Sequence, residues 1–325
     1  MNSNVRIEAV FPDIGEWASS NTRFPHVWTF VGDAPGPHVC VNALVHGNEV
    51  CGAIAGDWLL RALTAGETPL RPLRGALSVT FANVDAYQSF DASEPFDSRC
   101  VDEDFNRLWD AATLDGNRDS RELRRARVLR PFYDTVDHLL DLHSMLEPAP
   151  PISLAGDTAK GLALARAMGA PEHILVDSGH AAGKRLRDYA GFGDASSPKS
   201  AVLIECGQHW EHAVGDVAKQ VTLRFLKHFD ILDATWIRAH LDAAIGARLQ
   251  RVVDIGTVVT HTGIAFRWLR PIRGLEVIAR ANTLIAMDGE REVRTPHADA
   301  VMVMPVPNPK LGQTAVRIGR FRAVS

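Results

Sequence analysis

The sequence lacks the long uncharged apolar stretch that a membrane-spanning helix requires. Its first residues, MNSNVRIEAVF, lack the basic segment followed by an apolar segment that is typical of a secretory signal. Cysteine is scarce: there are 4 residues and no CxxC pair, which favours buried free thiols over a disulfide framework. These absences predict a cytoplasmic protein with no membrane partner.

The sequence also lacks an excess of charge of one sign. Lysine and arginine contribute 35 residues, aspartate and glutamate 39, and the net charge is −4, which indicates no general attraction to nucleic acid or anionic membranes. The local exception is the arginine-rich run from Arg118 to Arg130, where no aromatic residue is interleaved before Phe132. We therefore predict a solvated helix face, in which Asp119 and Glu122 pair with arginines, and no nucleic-acid partner.

The motifs of two large enzyme classes are absent as well. The sequence has neither a GxSxG nucleophile elbow nor a GxxxxGK[ST] phosphate loop, which disfavours serine hydrolase and P-loop nucleotide chemistry. What remains is the composition of an ordinary globular protein, with 325 residues, 46% hydrophobic and 23% charged. A chain of this length is long enough for two domains.

Short apolar runs alternate with helical periodicity through most of the chain, which predicts an α/β fold. Most of the apolar runs do not alternate with polar residues, so we expect strands that are covered by helices on both faces of the sheet. The predicted strands are 38–45, 76–82, 136–142, 173–176 and 201–204, and the predicted helices are 50–63, 120–132, 159–168, 214–228 and 235–249.

From Arg251 onward the pattern changes to short β-like runs that are broken by glycine and proline. We therefore predict a catalytic domain over residues 1–245 and a smaller, mainly β C-terminal domain over residues 246–325. Two roles are open for the second domain. It either closes over the active site and restricts substrate size, or packs against a second subunit in a homo-oligomer.

Ionisable residues follow three of the predicted strands. His46 and Glu49 come after the first, His143 ends the run Asp-Leu-His, and Glu205 follows another. Ligands collect at the carboxyl ends of strands in open α/β sheets, so these side chains are expected to converge. Two histidines and one glutamate form a catalytic zinc set, and Glu205 is the expected partner of an activated water.

Each of these motifs has a simpler interpretation when it stands alone. A histidine and a glutamate three residues apart are typical of a helix start with a surface glutamate. The segment from Arg99 to Arg107 supplies two guanidinium groups and the amide of Asn106, which suit a substrate carboxylate and an oxyanion, but Asp102, Glu103 and Asp104 would balance it as a solvated loop. Because the two histidines and the glutamate together form a set of zinc ligands, we favour the functional interpretation of both the His46 and Glu49 motif and the segment from Arg99 to Arg107.

The motifs HGNE, RxxxxxxNR, DLH and ExG, in this order, resemble those of the succinylglutamate desuccinylase and aspartoacylase family of zinc amidohydrolases. That family is related to the zinc carboxypeptidases. The segments GHAAGKRLRDYAGFGD, IECGQHWE and DGEREVRTPHADAVMVMP extend the resemblance over most of the chain. The resemblance implies a mixed sheet like that of the zinc carboxypeptidases, one zinc ion held by His46, Glu49 and His143, and Glu205 as general base and then acid.

The resemblance also implies a substrate-binding set. Arg99 would polarise the scissile carbonyl, and Asn106 and Arg107 would hold the substrate carboxylate. A further arginine is expected shortly before the catalytic glutamate, where this chain offers Arg185 and Arg187 at a longer separation, and we assign substrate binding to Arg187. The C-terminal tyrosine expected of an aspartoacylase is absent, because the tyrosines are Tyr87, Tyr133 and Tyr189, which argues against N-acetylaspartate as the substrate.

Two other histidines receive lesser roles. His209 is expected to line the pocket, and no second metal is expected at His209 and His212. His180 lies in a loop, where a structural role is favoured over a substrate contact.

The leading hypothesis is a zinc-dependent amidohydrolase that removes an acyl group from an N-acylated amino acid or a similar small carboxylate metabolite. Two alternatives stay open. A zinc carboxypeptidase acting on short peptides would use the same residues, and a non-catalytic zinc-containing protein would bind a carboxylate ligand without hydrolysing it.

Overall fold

A computed structural model describes residues 6–65, 69–180, 182–242 and 248–323 of the chain. Within these ranges the chain forms fourteen β-strands and seven α-helices. The strands are β1 (Val27–Val31), β2 (Ala34–Ala43), β3 (Arg74–Phe81), β4 (His138–Met145), β5 (Ile152–Leu154), β6 (His173–Val176), β7 (Ser200–Gln208), β8 (Arg251–Thr260), β9 (Phe266–Trp268), β10 (Val277–Ile278), β11 (Leu284–Asp288), β12 (Arg291–Arg294), β13 (Ala300–Val303) and β14 (Thr314–Phe321). The helices are α1 (Val50–Thr64), α2 (Val84–Gln88), α3 (Ala111–Asp115), α4 (Arg121–Tyr133), α5 (Ala159–Met168), α6 (Val214–His228) and α7 (Ala234–His240).

Eleven of the described strands form one sheet in the order β1-β3-β2-β4-β7-β5-β6-β8-β14-β13-β10. Strands β3, β2, β4 and β7 run parallel to one another. Strand β5 is antiparallel to β7, and β5, β6 and β8 are parallel to one another. This confirms the mixed sheet, and it places the carboxyl ends of β2, β4 and β7 side by side at one edge.

Helices cover both faces of the central strands, as predicted. Along β2, Val39 and Val41 pack in the same core as residues of α1, α5 and α6. The intervening Cys40 belongs to a second core, which α4 covers on the opposite face. Because successive side chains of a strand point to opposite faces, a strand buried on both sides is apolar at most of its positions.

Most predicted helices and strands agree with the structure, and one helix is shorter than predicted. Helix α7 ends at His240, whereas the periodicity predicted a helix over 235–249, of which 243–247 lie outside the described residues. The Gln220 side chain donates to the His240 carbonyl oxygen at 2.9 Å and accepts from the Asp242 N–H at 2.8 Å. These bonds hold the chain just after the helix, where the backbone of Leu241 is extended.

The C-terminal region is mainly β, as predicted, and it continues the large sheet. Strand β8 pairs in parallel with β6, and β14, β13 and β10 follow by antiparallel pairing. Strands β12, β11 and β9 form a separate three-stranded antiparallel sheet. The division into two domains at residues 245 and 246 stays a prediction, and the hydrogen-bonded pair β6 and β8 crosses that boundary.

Among the residues that the structure describes, we find no helix with the length and apolarity that crossing a bilayer requires.

Candidate metal centre and active site

The side chains of His46, Glu49 and His143 meet at the carboxyl ends of β2 and β4. One potential ligand atom from each of the three residues lies within 4.8 Å of the other two. All three side chains are buried, with 4%, 3% and 1% of their surface exposed respectively. The convergence that the sequence predicted for these residues is therefore present in the fold.

The turn that carries His46 and Glu49 depends on a glycine between them. A Cβ atom at Gly47 would lie 2.2 Å from the carbonyl carbon of Ala86 and 2.4 Å from the carbonyl oxygen of Ser98. Only a residue without a side chain allows this close packing. Glu49 follows at the start of α1, where its side chain makes no capping hydrogen bond and turns towards the histidines instead.

The Glu49 carboxylate lies between the two imidazole rings. Its Oε1 is 2.8 Å from His46 Nδ1, and its Oε2 is 2.8 Å from His143 Nδ1. The opposite ring nitrogens each face another carboxylate: His46 Nε2 is 3.0 Å from Asp104 Oδ1, and His143 Nε2 is 3.1 Å from Asp141 Oδ2. Each histidine therefore has a second carboxylate at its Nε2, within hydrogen-bond contact for His46 and at ion-pair distance for His143, and each directs its Nδ1 towards Glu49.

The electrostatics of this cluster favour a bound cation. Burial raises the pKa of Glu49, but the charges of His46 and His143 outweigh burial and hold that pKa well below its usual range. Burial lowers the pKa of His143, whereas Asp141 and Glu49 raise it by more, so the result is well above the usual value. A metal ion that bound here would compete with the proton that these carboxylates hold on His143.

These residues fit a zinc ion. Two imidazole nitrogens and one carboxylate are the protein ligands of many catalytic zinc sites, in which a fourth position stays open. A carboxylate behind each histidine is the usual arrangement around such ligands, because it fixes which ring nitrogen faces the metal. The donor set, its burial and its supporting carboxylates thus agree with the predicted metal.

Glu205 lies beside the cluster on the neighbouring strand. It is the register partner of His143 in the parallel pair β4 and β7, so both side chains point to the same face of the sheet. The Glu205 side chain is buried, and its Oε2 has no hydrogen-bond partner within the described chain. Burial, and secondly the charge of Glu49, raises the pKa of Glu205 to about 8.

Arg99 and Arg107 approach the same centre from the loop after α2. Arg99 Nη1 donates to Glu49 Oε1 at 3.4 Å, and its Nη2 donates to Asp104 Oδ2 at 3.0 Å. Arg107 Nη2 lies 3.8 Å from the same Asp104 oxygen. The Asn106 carboxamide oxygen accepts from the Leu186 N–H at 2.8 Å, which fixes the orientation of this amide.

A buried glutamate on α4 shapes this loop, which differs from the sequence prediction. Glu122 was expected on a solvated face, yet its exposed fraction is 0%. Its carboxylate accepts from the N–H groups of Val101 at 2.6 Å, Asp102 at 3.0 Å and Glu103 at 3.2 Å. The prediction was wrong because the amide groups that Glu122 binds belong to a loop about twenty residues away, which helical periodicity does not reveal.

The two arginines before Glu205 lie in a neighbouring cluster. Arg187 donates to the carbonyl oxygens of Ala155 at 2.8 Å and Ala201 at 3.0 Å, and its Nη1 donates to Asp188 at 2.6 Å. Arg185 makes a two-pronged ion pair with Asp177 at 2.8 and 3.0 Å. Substrate binding by Arg187 stays a prediction, since these described contacts run to the protein interior and not to the zinc ligands.

Two histidines complete the surroundings. His209 is buried, and its Nδ1 is 2.8 Å from the Ser144 hydroxyl, next to the ligand His143. Burial lowers the pKa of His209 to about 4, so its ring is neutral at pH 7. His180 lies in the loop that packs against Arg107, and its Nε2 is 3.4 Å from the Thr314 hydroxyl of β14.

Sequence reasoning missed three residues near the site. Asp141 had a usable signal, because it lies two positions before His143 on the same strand and hence on the same face. Asp104 was counted only as a balancing charge of its loop. Arg317, on the last strand, had no signal at all, since no motif connects it to residues that lie more than a hundred positions earlier.

Comparison with known proteins identifies the family. The sequence profile of the succinylglutamate desuccinylase/aspartoacylase catalytic domain matches residues 35–231. This span is more than half of the chain and includes all eight predicted site residues. No curated protein sequence matches the chain significantly.

Solved structures of this family share the fold. Succinylglutamate desuccinylase from Vibrio cholerae superimposes with a TM-score of 0.64 at 16% identity, covering 91% of this chain and 85% of that one. The Vibrio parahaemolyticus enzyme gives a TM-score of 0.66 at 14% identity, with 92% and 87% covered. The product-bound ectoine utilization protein EutE (DoeB) from Ruegeria pomeroyi gives 0.61 at 16% identity, with 90% and 87% covered. At these identities the likeness concerns the fold.

Proposed function

Because the chain belongs to the succinylglutamate desuccinylase/aspartoacylase family, we propose that it is a zinc-dependent amidohydrolase. Its substrate would be an N-acylated amino acid or a similar small carboxylate metabolite, from which it removes the acyl group. The observation that carries this proposal is the convergence of His46, Glu49 and His143 beside the buried Glu205.

The three converging residues would hold the zinc ion through the two imidazole Nδ1 atoms and the Glu49 carboxylate. Bound zinc would supply a water of strongly lowered pKa, from about 15.7 towards about 7, and would polarise the substrate carbonyl. Asp104 and Asp141 keep the ligand rings in position, because each faces the ring nitrogen that is turned away from Glu49.

Glu205 is proposed as the proton carrier. It would accept a proton from the attacking water and later donate it to the departing amine nitrogen. Its buried Oε2, which has no hydrogen-bond partner in the described chain, is available for this exchange. A pKa near the working pH suits a group that must both accept and donate a proton, and the pKa of Glu205 is raised to about 8.

Arg99 would stabilise the charge that develops on the carbonyl oxygen. Its guanidinium contacts Glu49, so it lies next to the proposed metal position, and its side chain is 39% exposed and hence open to the substrate. Asn106 and Arg107 would hold the substrate carboxylate. In support, Arg107 has its nearest described carboxylate 3.8 Å away, beyond direct hydrogen-bond distance.

The protein would act in the cytoplasm. The four cysteines are free thiols, which agrees with a reducing compartment. The proposed partners are small acylated amino acids, with neither nucleic acid nor membrane involved.

The proposal is tested by product analysis on a panel of N-acetyl and N-succinyl amino acids, with short peptides included. We expect release of free acetate or succinate together with the amino acid. The Glu205→Gln variant should keep its zinc and lose turnover by about 10²–10⁴-fold, because the amide cannot carry the proton. Glu211→Gln, which changes an exposed glutamate just after β7, is the matched control and should stay active.

Three results would count against the proposal. Release of a C-terminal amino acid from the peptides would identify a carboxypeptidase. Recovery of every ligand intact from the zinc-loaded protein would identify a binding protein. Near-normal turnover in Glu205→Gln would remove Glu205 from its proposed role.

A further inference from the structure

Arg317 is the residue through which the C-terminal region reaches the candidate site. It lies on β14, between β8 and β13, where Val258 and Val303 are its register partners. This strand is outside the segment 35–231 that the family profile covers. Arg317 is nevertheless close enough to Glu205 for the two charges to interact.

The guanidinium of Arg317 is buried without a close partner. Its side chain is 12% exposed, and its Nε has no hydrogen-bond partner among the described residues. The nearest described carboxylate oxygen is Asp177 Oδ2, at 3.8 Å from Nε. That carboxylate already accepts hydrogen bonds from Arg185 at 2.8 and 3.0 Å, so its charge is shared. A buried cation in this situation is costly unless a ligand supplies the missing acceptor.

Arg107 also lacks a close carboxylate, although its Nη1 donates to the Asn106 carbonyl oxygen at 2.7 Å. Its nearest carboxylate is Asp104, at 3.8 Å, and Arg99 contacts the same oxygen more closely, at 3.0 Å. Burial lowers the pKa of Arg107 to about 10, because the Asp104 charge does not offset burial and the repulsion from Arg99 and then Arg317 and Arg185. The guanidinium groups of Arg107 and Arg317 are thus neighbours that together have too little carboxylate charge near them to be neutralised.

His180 occupies the space near both arginines. It interacts electrostatically with Arg107 and Arg317, and its ring touches the hydroxyl of Thr314 on the same strand as Arg317. Burial, and secondly these arginine charges, lowers the pKa of His180 to about 4, so the imidazole is neutral at pH 7. It adds no further positive charge, and a neutral ring offers a hydrogen-bonding group beside an anion.

Gly183 brings the His180 loop against Arg107. Its φ is +142°, and a Cβ atom there would lie 2.2 Å from the Arg107 carbonyl oxygen. Any other residue would push the loop away. The backbone thus places the loop against Arg107, and the contact between His180 and Thr314 joins the same loop to the last strand.

We propose that Arg317 is a substrate-binding residue that shares the substrate carboxylate with Arg107, so that the C-terminal strand completes the active site. This inference rests on the proposed function and names a residue that sets its specificity. A carboxylate between the two guanidinium groups would satisfy both, whereas a carboxamide would leave both short of negative charge. The pair therefore selects substrates with a free carboxylate.

The test measures ligand binding and needs no hydrolysis, so its failure is separate from failure of the proposed function. The probes are glutarate and its neutral counterpart glutaramide, titrated calorimetrically into the zinc-loaded protein at pH 7. We expect wild type to bind glutarate more tightly than glutaramide. Arg317→Gln should weaken glutarate binding by about ten- to a hundredfold and leave glutaramide binding nearly unchanged.

Two further variants separate charge recognition from a merely structural role. Arg317→Lys, which keeps the charge but not the planar fork, should show an intermediate loss. Arg320→Gln changes an exposed arginine on the same strand and should bind glutarate as wild type does. Thermal unfolding of all variants shows whether they are folded.

An equal loss of glutarate and glutaramide binding in Arg317→Gln would overturn the proposal, because it indicates a disturbed pocket. Unchanged glutarate binding in folded Arg317→Gln would overturn it as well, and so would a wild-type protein that does not prefer glutarate. If the protein still hydrolyses acyl amino acids when one of these results is obtained, the result contradicts the role proposed for Arg317 and leaves the proposed function unaffected.

Discussion

At the scale of single residues, the candidate site is a set of carboxylates and histidines that orient one another. Glu49 touches the Nδ1 atoms of His46 and His143, while Asp104 and Asp141 face the other ring nitrogens. A histidine has two nitrogens that could face a metal, and a fixed partner on one leaves the other for the ion. The pairing therefore fixes the orientation of both imidazole rings.

The role of Asp141 leads to a prediction about zinc affinity. Asp141→Asn replaces the buried carboxylate behind His143 with an amide, so the ring loses its anionic partner. We expect zinc to bind about 10- to 100-fold more weakly, as measured by competition with a chromophoric chelator. Asp137→Asn, just before the start of the same strand, is the control and should bind zinc as wild type does. Equal zinc affinity of wild type and Asp141→Asn would contradict the orienting role.

The sequence predicted individual site residues where those residues follow the end of a strand. His46, Glu49, His143 and Glu205 could be found because ionisable groups that follow apolar strands are conspicuous. Arg317 could not be found, because an arginine in a β-like run is typical of a solvent-exposed face. Its burial depends on how the last strand packs against a loop in the middle of the chain, which no local pattern encodes.

At the scale of elements, the strands place the site and the loops complete it. Strands β2, β4 and β7 are parallel neighbours, so their carboxyl ends bring three separate segments together. The loop after α2 then adds Arg99, Asn106 and Arg107. Helix α4 holds that loop in position through Glu122, whose carboxylate accepts three backbone N–H groups and the Asn83 amide at 3.2 Å.

We therefore predict that Glu122→Gln disturbs the loop without removing the metal. A glutamine cannot accept all these hydrogen bonds, and its NH₂ group would face backbone N–H donors. The free energy of unfolding should fall by about 1–3 kcal/mol in urea titrations. Zinc content should stay normal, and KM for the best substrate should rise because Asn106 and Arg107 are displaced.

Glu94→Gln, which changes an exposed residue in the first part of the same loop, serves as the control for Glu122→Gln. An unchanged free energy of unfolding and an unchanged KM in Glu122→Gln would show that the loop holds its shape without these hydrogen bonds.

The elements themselves were largely predictable. Helices over 159–168 and 214–228 have the predicted bounds, because their apolar spacing is regular and α5 also begins at a Thr158 cap. Strand ends were less accurate: β7 continues to Gln208, past the predicted end at residue 204. That extension contains polar residues, so the sequence pattern predicts a loop there. In the structure they pair within the sheet, and Glu205 is one of them.

At the scale of the whole molecule, one sheet connects the predicted catalytic region with the C-terminal strands. The parallel pair β6 and β8 is the junction, and it continues to β14, which carries Arg317. The sequence predicted the change of pattern near residue 251 but not this connection, because strand pairing between distant segments is decided by tertiary packing. The role proposed for the last strand depends on that connection.

The family match indicates an amide-acting hydrolase, and it does not specify the substrate. The family match extends over residues 35–231, and the chain covers 85% or more of the structures compared above. Specificity depends on side chains contributed by separate segments, including the loop around His180 and the last strand. Their arrangement becomes visible only in the structure.

Elemental analysis of protein purified without a chelator or a metal-affinity tag tests directly whether the chain holds zinc. We predict about one zinc per chain in wild type, as for other sites with this ligand set, and almost none in a folded His143→Ala variant. A folded wild-type protein that holds no zinc, even after zinc has been supplied in excess, would contradict the central claim that His46, Glu49 and His143 form a zinc site.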